Sequence, residues 1–297
     1  MTSKDCKMTE IKVKAYAKIN LFLDITGILP NGYHSLNNIM QQIELHDDVK
    51  VSLSEGKGIS IACDNPDIPT DKRNIAYKAA ELFMKETGLS AEINIDIRKN
   101  IPVMAGLGGS STDGAAVLTA LNLLCGTPLN QSTLEKAGAA LGADVPFCIR
   151  GNAAFCKGIG EKMTDITDLE HCSILIVKPD FSCNTAAAYG LYDKTPVKSK
   201  GEPDILLSAL KEKELKKIGV NLYNVFEMLY SDDRIGEIKN ALLELKAVGA
   251  ALSGSGSAVY GLFESEEDAL YAKSKLNYPF MFVTKPVTKP VFSLEKK

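Results

Sequence analysis

Several features that would assign a sequence to a familiar class are missing from this chain. No apolar run approaches the ~20 residues that cross a bilayer, and the polar stretch 1–10 lacks the apolar core of a signal peptide. The formal charge of −3 gives no basic surface for nucleic acid or anionic lipid. The seven cysteines form no C-x-x-C pair, and no histidine lies at zinc-ligand spacing from them. We therefore expect a cytoplasmic protein with reduced thiols and no structural metal, nucleic-acid partner or membrane partner.

The most informative segment that is present, residues 102–113, is itself defined by what it lacks. It joins an alternating apolar strand at 93–97 to an apolar helix. Glycines and the free N–H groups of a first helical turn make such a junction an anion site, typically for phosphate. No Lys follows the glycines, as a P-loop requires, and Ser111 stands where a dinucleotide fingerprint has its third glycine. From this segment alone, an ordinary strand-to-helix turn with a Ser or Thr cap stays possible.

The rest of the chain predicts an α+β protein with two lobes. Hydrophobic residues make up 45% of the 297, enough for one large domain or two, and we place the lobes at 1–165 and 166–297. Alternation over 12–26 predicts a long half-buried strand with Lys18 and Asn20 side by side on its polar face. The other predicted strands are 49–53, 93–97, 153–156, 174–177, one ending at 252, 258–263 and a closing strand. The predicted helices are 74–87, the one following the glycines to about 125, 131–141, 184–193, 204–217, 221–230, 234–246 and 266–276.

Four positions carry chemistry that the spacing alone leaves open. Asp144 follows a predicted helix, where a carboxylate serves either as a general base or as a helix cap. Lys18 is either its charge partner or a solvated strand lysine. Tyr33 and His34 are suited to stacking on a pyrimidine and reading its edge, or form a partly buried pair. The glycines of 253–257 fit a hairpin turn as well as a ligand site.

A series of motifs, taken in order, resembles the GHMP kinases. They are Ala17-Lys18-Ile19-Asn20-Leu21-Phe22-Leu23, Gly32-Tyr33-His34, the segment 102–112, Gly142-Ala143-Asp144-Val145-Pro146-Phe147 and Ser253-Gly254-Ser255-Gly256. The resemblance covers about residues 11–285. It implies an N-terminal lobe with ribosomal-S5-domain-2-like topology and a C-terminal ferredoxin-like α/β lobe. The first two motifs together resemble the branch of the family that acts on a cytidine diphosphate sugar alcohol.

The resemblance implies an ATP-dependent kinase, with Mg²⁺, that phosphorylates the tertiary C2 hydroxyl of this methylated sugar alcohol in non-mevalonate isoprenoid synthesis. Asp144 then takes the hydroxyl proton, with Lys18 as its partner. The implied ATP-binding residues are Pro102, Val103, Met104, Ala105, Gly106, Leu107, Gly108, Gly109, Ser110, Ser111 and Thr112, with Asn74 and Lys99 near the adenosine. The implied substrate-binding residues are Asn20, Tyr33, His34, Thr185, Tyr189, Gly254 and Gly256. Ser111 or Thr112 is a candidate contact to magnesium.

Two departures from the family pattern lie in the glycine segment. Ser110 replaces a third consecutive glycine, and Thr112 replaces a second serine. Because serine tolerates positive φ less well than glycine, we expect a slightly different backbone path at Ser110. The alternatives are another kinase of the family, of the mevalonate or homoserine type, and a nucleotide-binding regulator without catalysis. The expected partners are small molecules, ATP and the sugar alcohol, and the expected state is a monomer or a weak homodimer.

Overall fold

The computed structural model describes residues 2, 9–30, 32–195, 197, 201–230 and 233–288. Cys6 and most of the stretch 1–10 lie outside the described residues. The elements are β1 (Glu10–Ile28), β2 (His34–Ser54), β3 (Gly58–Cys63), α1 (Ile75–Thr87), β4 (Glu92–Arg98), α2 (Gly109–Leu124), α3 (Gln131–Ala139), α4 (Val145–Arg150), β5 (Ala153–Gly158), β6 (Lys162–Asp165), β7 (Ser173–Lys178), α5 (Thr185–Lys194), α6 (Pro203–Glu212), α7 (Leu215–Val220), β8 (Tyr223–Asn224), a 3-10 helix (Val225–Met228), α8 (Arg234–Glu244), β9 (Gly249–Leu252), β10 (Val259–Phe263), α9 (Glu266–Lys275) and β11 (Phe280–Thr284).

The first sheet is built around the long β1–β2 hairpin. Its order is β3-β4-β2-β1-β8, and β5 and β6 extend it from the other half of β2. Helices α1 and α2 cover one face of this sheet, and α2 is apolar and buried on almost every side. Asn74 caps the start of α1 and Gly88 ends it in the left-handed conformation, as the sequence predicts. Helix α2 also packs against β1.

The second sheet has the strand order β11-β7-β10-β9, with every neighbour antiparallel. In chain order this is fourth, first, third, second, which is the ferredoxin-like arrangement that the family resemblance implies. Apolar residues of α8 and α9 pack on one side of it. On the other side, Ile174 and Tyr260 share a core with Ile19 and Leu21 of β1. The two sheets are therefore joined through β1.

This junction corrects the prediction that the first strand is half-buried. Residues 17–25 are buried on both faces, including the polar Lys18, Asn20 and Asp24. Ile19 and Leu21 pack in the core shared with the second sheet, whereas Lys18 and Asn20, which alternate with them, line the candidate site. Because polar groups in such a place need partners, the burial of Lys18 points to a dedicated hydrogen-bond network.

Other differences between the predicted and the observed elements arise because strands pair with segments that are distant in sequence. Strand β2 begins at His34, because β5 pairs with its first half, whereas the sequence predicts a strand only from residue 49. Strands β3 and β6 and the short helix α4 are not predicted, and the predicted helix 204–217 is two helices. The helix predicted over 221–230 is wrong: Tyr223 and Asn224 pair with β1, and a 3-10 helix follows. The lobe boundary at 165/166 stays a prediction.

No helix among the described residues is long and apolar enough to cross a membrane. Six cysteines lie within the described part of the chain, and all six are free thiols.

Candidate active site

A cavity of about 1060 Å³ lies where the two sheets meet. Its walls come from the β1–β2 hairpin, the glycine segment 102–111, the connection before α4, the start of α5 and the 254–256 turn. All the site residues predicted from sequence line it except Thr112. Residues far apart in sequence are thus brought to one place, and the detailed contacts distinguish what each can do.

Lys18 and Asp144 form a charged pair within this cavity. The Lys18 Nζ lies 3.6 Å from Asp144 Oδ2, and the side chains are 4% and 33% exposed. Asp144 stands at the position that precedes α4, yet its side chain makes no capping hydrogen bond. The capping alternative therefore lacks its defining contact, and the solvated-lysine alternative for Lys18 is wrong. The carboxylate is left facing the cavity beside a fixed positive charge.

The Lys18 ammonium is held by Asn20, as their spacing on β1 predicts. The Asn20 Oδ1 accepts from Lys18 Nζ at 2.6 Å and from the backbone N–H of Gly254 at 2.8 Å. The Asn20 Nδ2 donates to Asn38 Oδ1 at 2.7 Å. Since its oxygen already accepts two hydrogen bonds, Asn20 is suited to positioning Lys18 more than to binding substrate through that atom.

The glycine segment ends in an open helix start. Gly106 and Gly108 both adopt φ of +77°, and α2 begins at Gly109. Ser110 lies inside α2 without a positive φ, so the reason given for a different backbone path there does not apply. Because the cap residue Gly108 has no side chain, no side-chain oxygen takes up the first N–H groups of α2. These N–H groups face the cavity and, with the helix dipole, favour an anion there.

The predicted contact of Thr112 with phosphate or magnesium is not supported by its position. Thr112 is 2% exposed, and its hydroxyl donates to the Tyr16 carbonyl at 2.8 Å. Successive helical residues are rotated by about 100°, so Ser111 lines the cavity while Thr112 faces β1. Only Ser111 of the two keeps a hydroxyl available to a ligand.

Lys99, predicted to lie near the adenosine, lines the cavity, but its side chain is already engaged. Its buried ammonium is bound by Asp47 and by Asp113 Oδ2, the latter at 2.7 Å. Asp47 Oδ1 additionally accepts from the backbone N–H groups of Asn100 and Ile101, at 2.6 and 2.8 Å. This Asp47–Lys99–Asp113 triad ties β2, the start of the glycine segment and α2 together. The ammonium therefore anchors the segment instead of presenting its charge to a ligand.

Asn74 has a similar anchoring role. Its Oδ1 accepts from the Ala76 N–H at 2.9 Å and its Nδ2 donates to the Pro69 carbonyl at 2.8 Å. The side chain is thus engaged in holding the start of α1, at the rim of the cavity.

The triad predicts a specific pH dependence of stability. Burial raises the pKa of Asp113 to about 7, against the opposing effect of Lys99, and the neighbouring Asp47 raises it further. An unfolded chain keeps the ordinary value of 3.8, so between pH 4 and 7 the folded state binds more protons and the free energy of unfolding falls as pH rises. We expect Asp113→Asn to remove this slope. From pH 5 to 8 the variant should gain about 2 kcal/mol or more relative to the wild type in urea unfolding.

The exposed Asp67 provides the control, because Asp67→Asn should leave the pH profile unchanged. If the difference in the free energy of unfolding between the wild type and Asp113→Asn stays constant from pH 5 to 8, the raised pKa of Asp113 is contradicted.

The opposite end of the cavity is aromatic. Tyr33 is 61% exposed at its mouth. The His34 ring lies 4.8 Å from the Tyr189 ring, and its Nε2 lies 2.7 Å from Asp193 Oδ1. Burial raises the pKa of the Tyr189 phenol well above its usual range, so it stays neutral. Aromatic faces beside a hydrogen-bonding imidazole can hold a flat heterocycle.

The 253–256 turn joins β9 to β10, so it is a hairpin turn, and it also closes the cavity. The Ser253 hydroxyl donates to the Gly106 carbonyl at 2.9 Å. The buried Asn224 donates from Nδ2 to the Leu252 and Gly254 carbonyls, both at 2.8 Å. The Thr185 and Ser255 hydroxyls lie 3.1 Å apart beside it. The turn is thus fixed against the glycine segment on one side and against β8 on the other.

Sequence reasoning missed several residues that support this site. They are Asn38, Asp47, Asp113, Asp193 and Asn224. A usable signal existed for two of them: Asp113 directly follows the glycine and serine cluster, and Asn224 is a polar residue set among Leu222, Val225 and Phe226. The others belong to elements whose pairing the local pattern does not reveal.

Comparison with known proteins gives one consistent family. The model of the GHMP kinases N terminal domain matches residues 74–152, and that of the GHMP kinases C terminal matches 206–280. The 4-diphosphocytidyl-2-C-methyl-D-erythritol kinases of Clostridium kluyveri and Clostridium tetani are 42% and 40% identical to this chain, each over 93% of it and over 99% and 100% of their own lengths.

Solved structures agree. A crystal structure of 4-(cytidine 5'-diphospho)-2C-methyl-D-erythritol kinase matches 93% of this chain and 99% of its own with a TM-score of 0.80 and 28% identity. The L. major mevalonate kinase, at 17% identity, 95% and 98% coverage and a TM-score of 0.73, shares the fold. The chain therefore belongs to the 4-diphosphocytidyl-2-C-methyl-D-erythritol kinase family of GHMP kinases.

Proposed function

We propose that this enzyme transfers the γ-phosphoryl group of ATP to the C2 hydroxyl of 4-diphosphocytidyl-2-C-methyl-D-erythritol, giving the 2-phosphate and ADP in non-mevalonate isoprenoid synthesis. One observation carries the proposal: the Lys18–Asp144 pair lies in a single cavity between an open helix start and an aromatic subsite. Phosphoryl transfer needs these three parts, which hold the phosphates, the reacting hydroxyl and the rest of the acceptor.

ATP is assigned to the glycine segment side of the cavity. Its phosphates lie against the N–H groups at the start of α2, where Gly106 and Gly108 permit close approach of the backbone. The adenosine lies toward the rim near Asn74 and Lys99. These two residues contribute through the backbone that their side chains hold in place.

Asp144 acts as the general base. As the C2 oxygen attacks the γ-phosphorus, its proton moves to the Asp144 carboxylate, and the bond from the γ-phosphorus to the bridging oxygen of ADP breaks. The Lys18 ammonium, 3.6 Å from the Asp144 carboxylate, offsets negative charge on the reacting oxygens. Asn20 keeps the ammonium aimed at this point.

The residues present fit a magnesium ion that arrives with ATP. Among the described residues, no cluster of three or more His, Cys, Asp or Glu side chains could hold a metal without other ligands. Mg²⁺ in nucleotide sites keeps phosphate oxygens and waters as ligands and takes few from the protein. The Ser111 hydroxyl, which lines the cavity, would hold it. Bound there, Mg²⁺ neutralises phosphate charge.

The cytosine of the acceptor is assigned to the aromatic end. Tyr33 and Tyr189 present ring faces, and His34 presents a ring nitrogen for hydrogen bonding. Thr185, Gly254 and Gly256 also line the cavity, and we assign them to the diphosphate. We further predict that the protein is cytoplasmic, is a monomer or weak homodimer, and has no nucleic-acid partner.

A substrate panel tests the function. We expect ATP turnover with 4-diphosphocytidyl-2-C-methyl-D-erythritol to exceed turnover with mevalonate or homoserine by orders of magnitude, because only the first fills the aromatic end. Tyr33→Ala should raise KM for the preferred acceptor about 10-fold with little change in KM for ATP, since stacking on one base contributes about 1–3 kcal/mol.

Tyr271→Ala is the matched control, because Tyr271 is exposed on α9 away from the cavity. A preference for mevalonate or homoserine would overturn the substrate assignment. Tight ATP binding without transfer to any of the alcohols would support the non-catalytic alternative.

A further inference from the structure

The hydrogen bonds that link Lys18, Asn20 and Asn38 are consistent with only one orientation of each amide side chain. An ammonium only donates, so the atom of Asn20 that contacts it must be the oxygen, as the second donor, the N–H of Gly254, also requires. The other end of the Asn20 amide is therefore its NH₂ group, which must meet an oxygen of Asn38. The orientation of the Asn38 amide follows: its Oδ1 faces Asn20, and its Nδ2 is directed away from it.

The Asn38 Nδ2 is therefore a donor at the end of this series of hydrogen bonds. Asn38 is 4% exposed and lines the cavity. No acceptor for its Nδ2 is found among the described residues. This nitrogen is also not one of the fully buried side-chain atoms that lack a partner in that part of the chain, so it keeps some exposure to the cavity. A buried amide donor that opens only to a cavity is suited to a ligand oxygen, because leaving it unpaired costs free energy.

The position of Asn38 along β2 indicates which part of a ligand it meets. His34, Leu36 and Asn38 alternate along the strand, and all three line the cavity. At about 3.3 Å per residue, Asn38 lies roughly 13 Å along the strand from His34. The strand thus runs from the aromatic end to the Lys18–Asp144 end, and Asn38 stands at the reacting end.

We propose that Asn38 is a further substrate-binding residue, whose Nδ2 donates to a hydroxyl oxygen of the polyol part of the acceptor next to the reacting centre. This inference rests on the proposed function and deepens it. Through Asn20 the same series of hydrogen bonds reaches Lys18. It therefore orients both the acceptor substrate and the positive charge that assists its reaction.

Asn38→Asp tests this with almost no change of shape. Aspartate keeps an oxygen for the Asn20 Nδ2 but replaces the donor by a negatively charged acceptor. We expect KM for the acceptor to rise 10-fold or more, with KM for ATP within twofold and the thermal midpoint within about 2 °C. Asn38→Ala removes the donor together with the oxygen that accepts from Asn20, but adds no negative charge, and should raise KM for the acceptor less. Asn37→Asp is the matched control, since Asn37 is the neighbour on β2 that does not line the cavity.

The outcomes separate this inference from the proposed function. If the wild type fails to phosphorylate the acceptor, the proposed function falls. If the wild type turns over normally and Asn38→Asp matches it or matches Asn37→Asp, the Asn38 inference is overturned. Equal increases in KM for ATP and acceptor, with a lower thermal midpoint, would mean that Asn38 is merely structural, and this too overturns it.

Discussion

Replacing Asp144 with asparagine is expected to lower kcat by about 10³-fold, since general-base catalysis contributes typically 10²–10⁴-fold. Asparagine has the same shape and cannot take the hydroxyl proton. The change should leave the fold intact, because the Asp144 side chain makes no capping hydrogen bond and is one-third exposed. Single-turnover measurements with saturating ATP and acceptor give the chemical rate, and calorimetric titration should show nucleotide affinity within about twofold of the wild type.

The matched control is Asp180→Asn. Asp180 also faces a cation at a long distance, 3.8 Å from Arg234, but it lies outside the cavity. This variant should keep full turnover. An Asp144→Asn enzyme that retains more than a tenth of wild-type kcat would rule out Asp144 as the base.

The second large effect is expected from Gly106→Ala. A Cβ at this position would lie 2.0 Å from the Ser253 carbonyl oxygen, a contact that backbone atoms on both sides cannot relieve, and φ is +77°. The glycine segment and the 253–256 turn must therefore separate. We expect a loss of about 3 kcal/mol or more in the free energy of unfolding, since strain and overpacking add. ATP affinity should fall by more than 10-fold.

The variant Gly88→Ala separates the cost of backbone strain at positive φ from the cost of a steric clash of the new Cβ. Gly88 has φ of +67° with nothing within 4 Å of a new Cβ, and it lies outside the cavity. This control should lose only about 1–2 kcal/mol, the cost of a left-handed conformation, and should bind ATP normally. If Gly106→Ala behaves like Gly88→Ala in urea unfolding and in ATP titration, the close contact between the glycine segment and the 253–256 turn is contradicted.

Much of the architecture could be predicted from local pattern, as could the relation of side chains along one strand, but what covers each side chain could not. The alternation in β1 correctly places Lys18 beside Asn20, because strand period alone sets that relation. Whether Lys18 is solvated depends on what covers the strand, and the covering sheet comes from the other end of the chain. Thr112 illustrates the same limit, since a motif gives its position while the phase of α2 decides which wall it faces.

Residues that support others were the hardest to find. Asp47 and Asn224 have no motif, and their importance comes from backbone groups that they bind in distant segments. Asn224 also misled the prediction, because helical periodicity around it competes with a two-residue pairing to β1 that only the tertiary structure provides.

The contact between Ser253 and Gly106 spans 147 positions in sequence, and it has a consequence for how the protein is made. The glycine segment leaves the ribosome long before its support does. A nascent chain that ends before the 253–256 turn has the glycines but lacks the Ser253 hydroxyl and the Ala258 N–H, which donate to the Gly106 and Ala105 carbonyls. Nucleotide-binding competence is therefore acquired late in synthesis, when the closing hairpin of the second sheet docks.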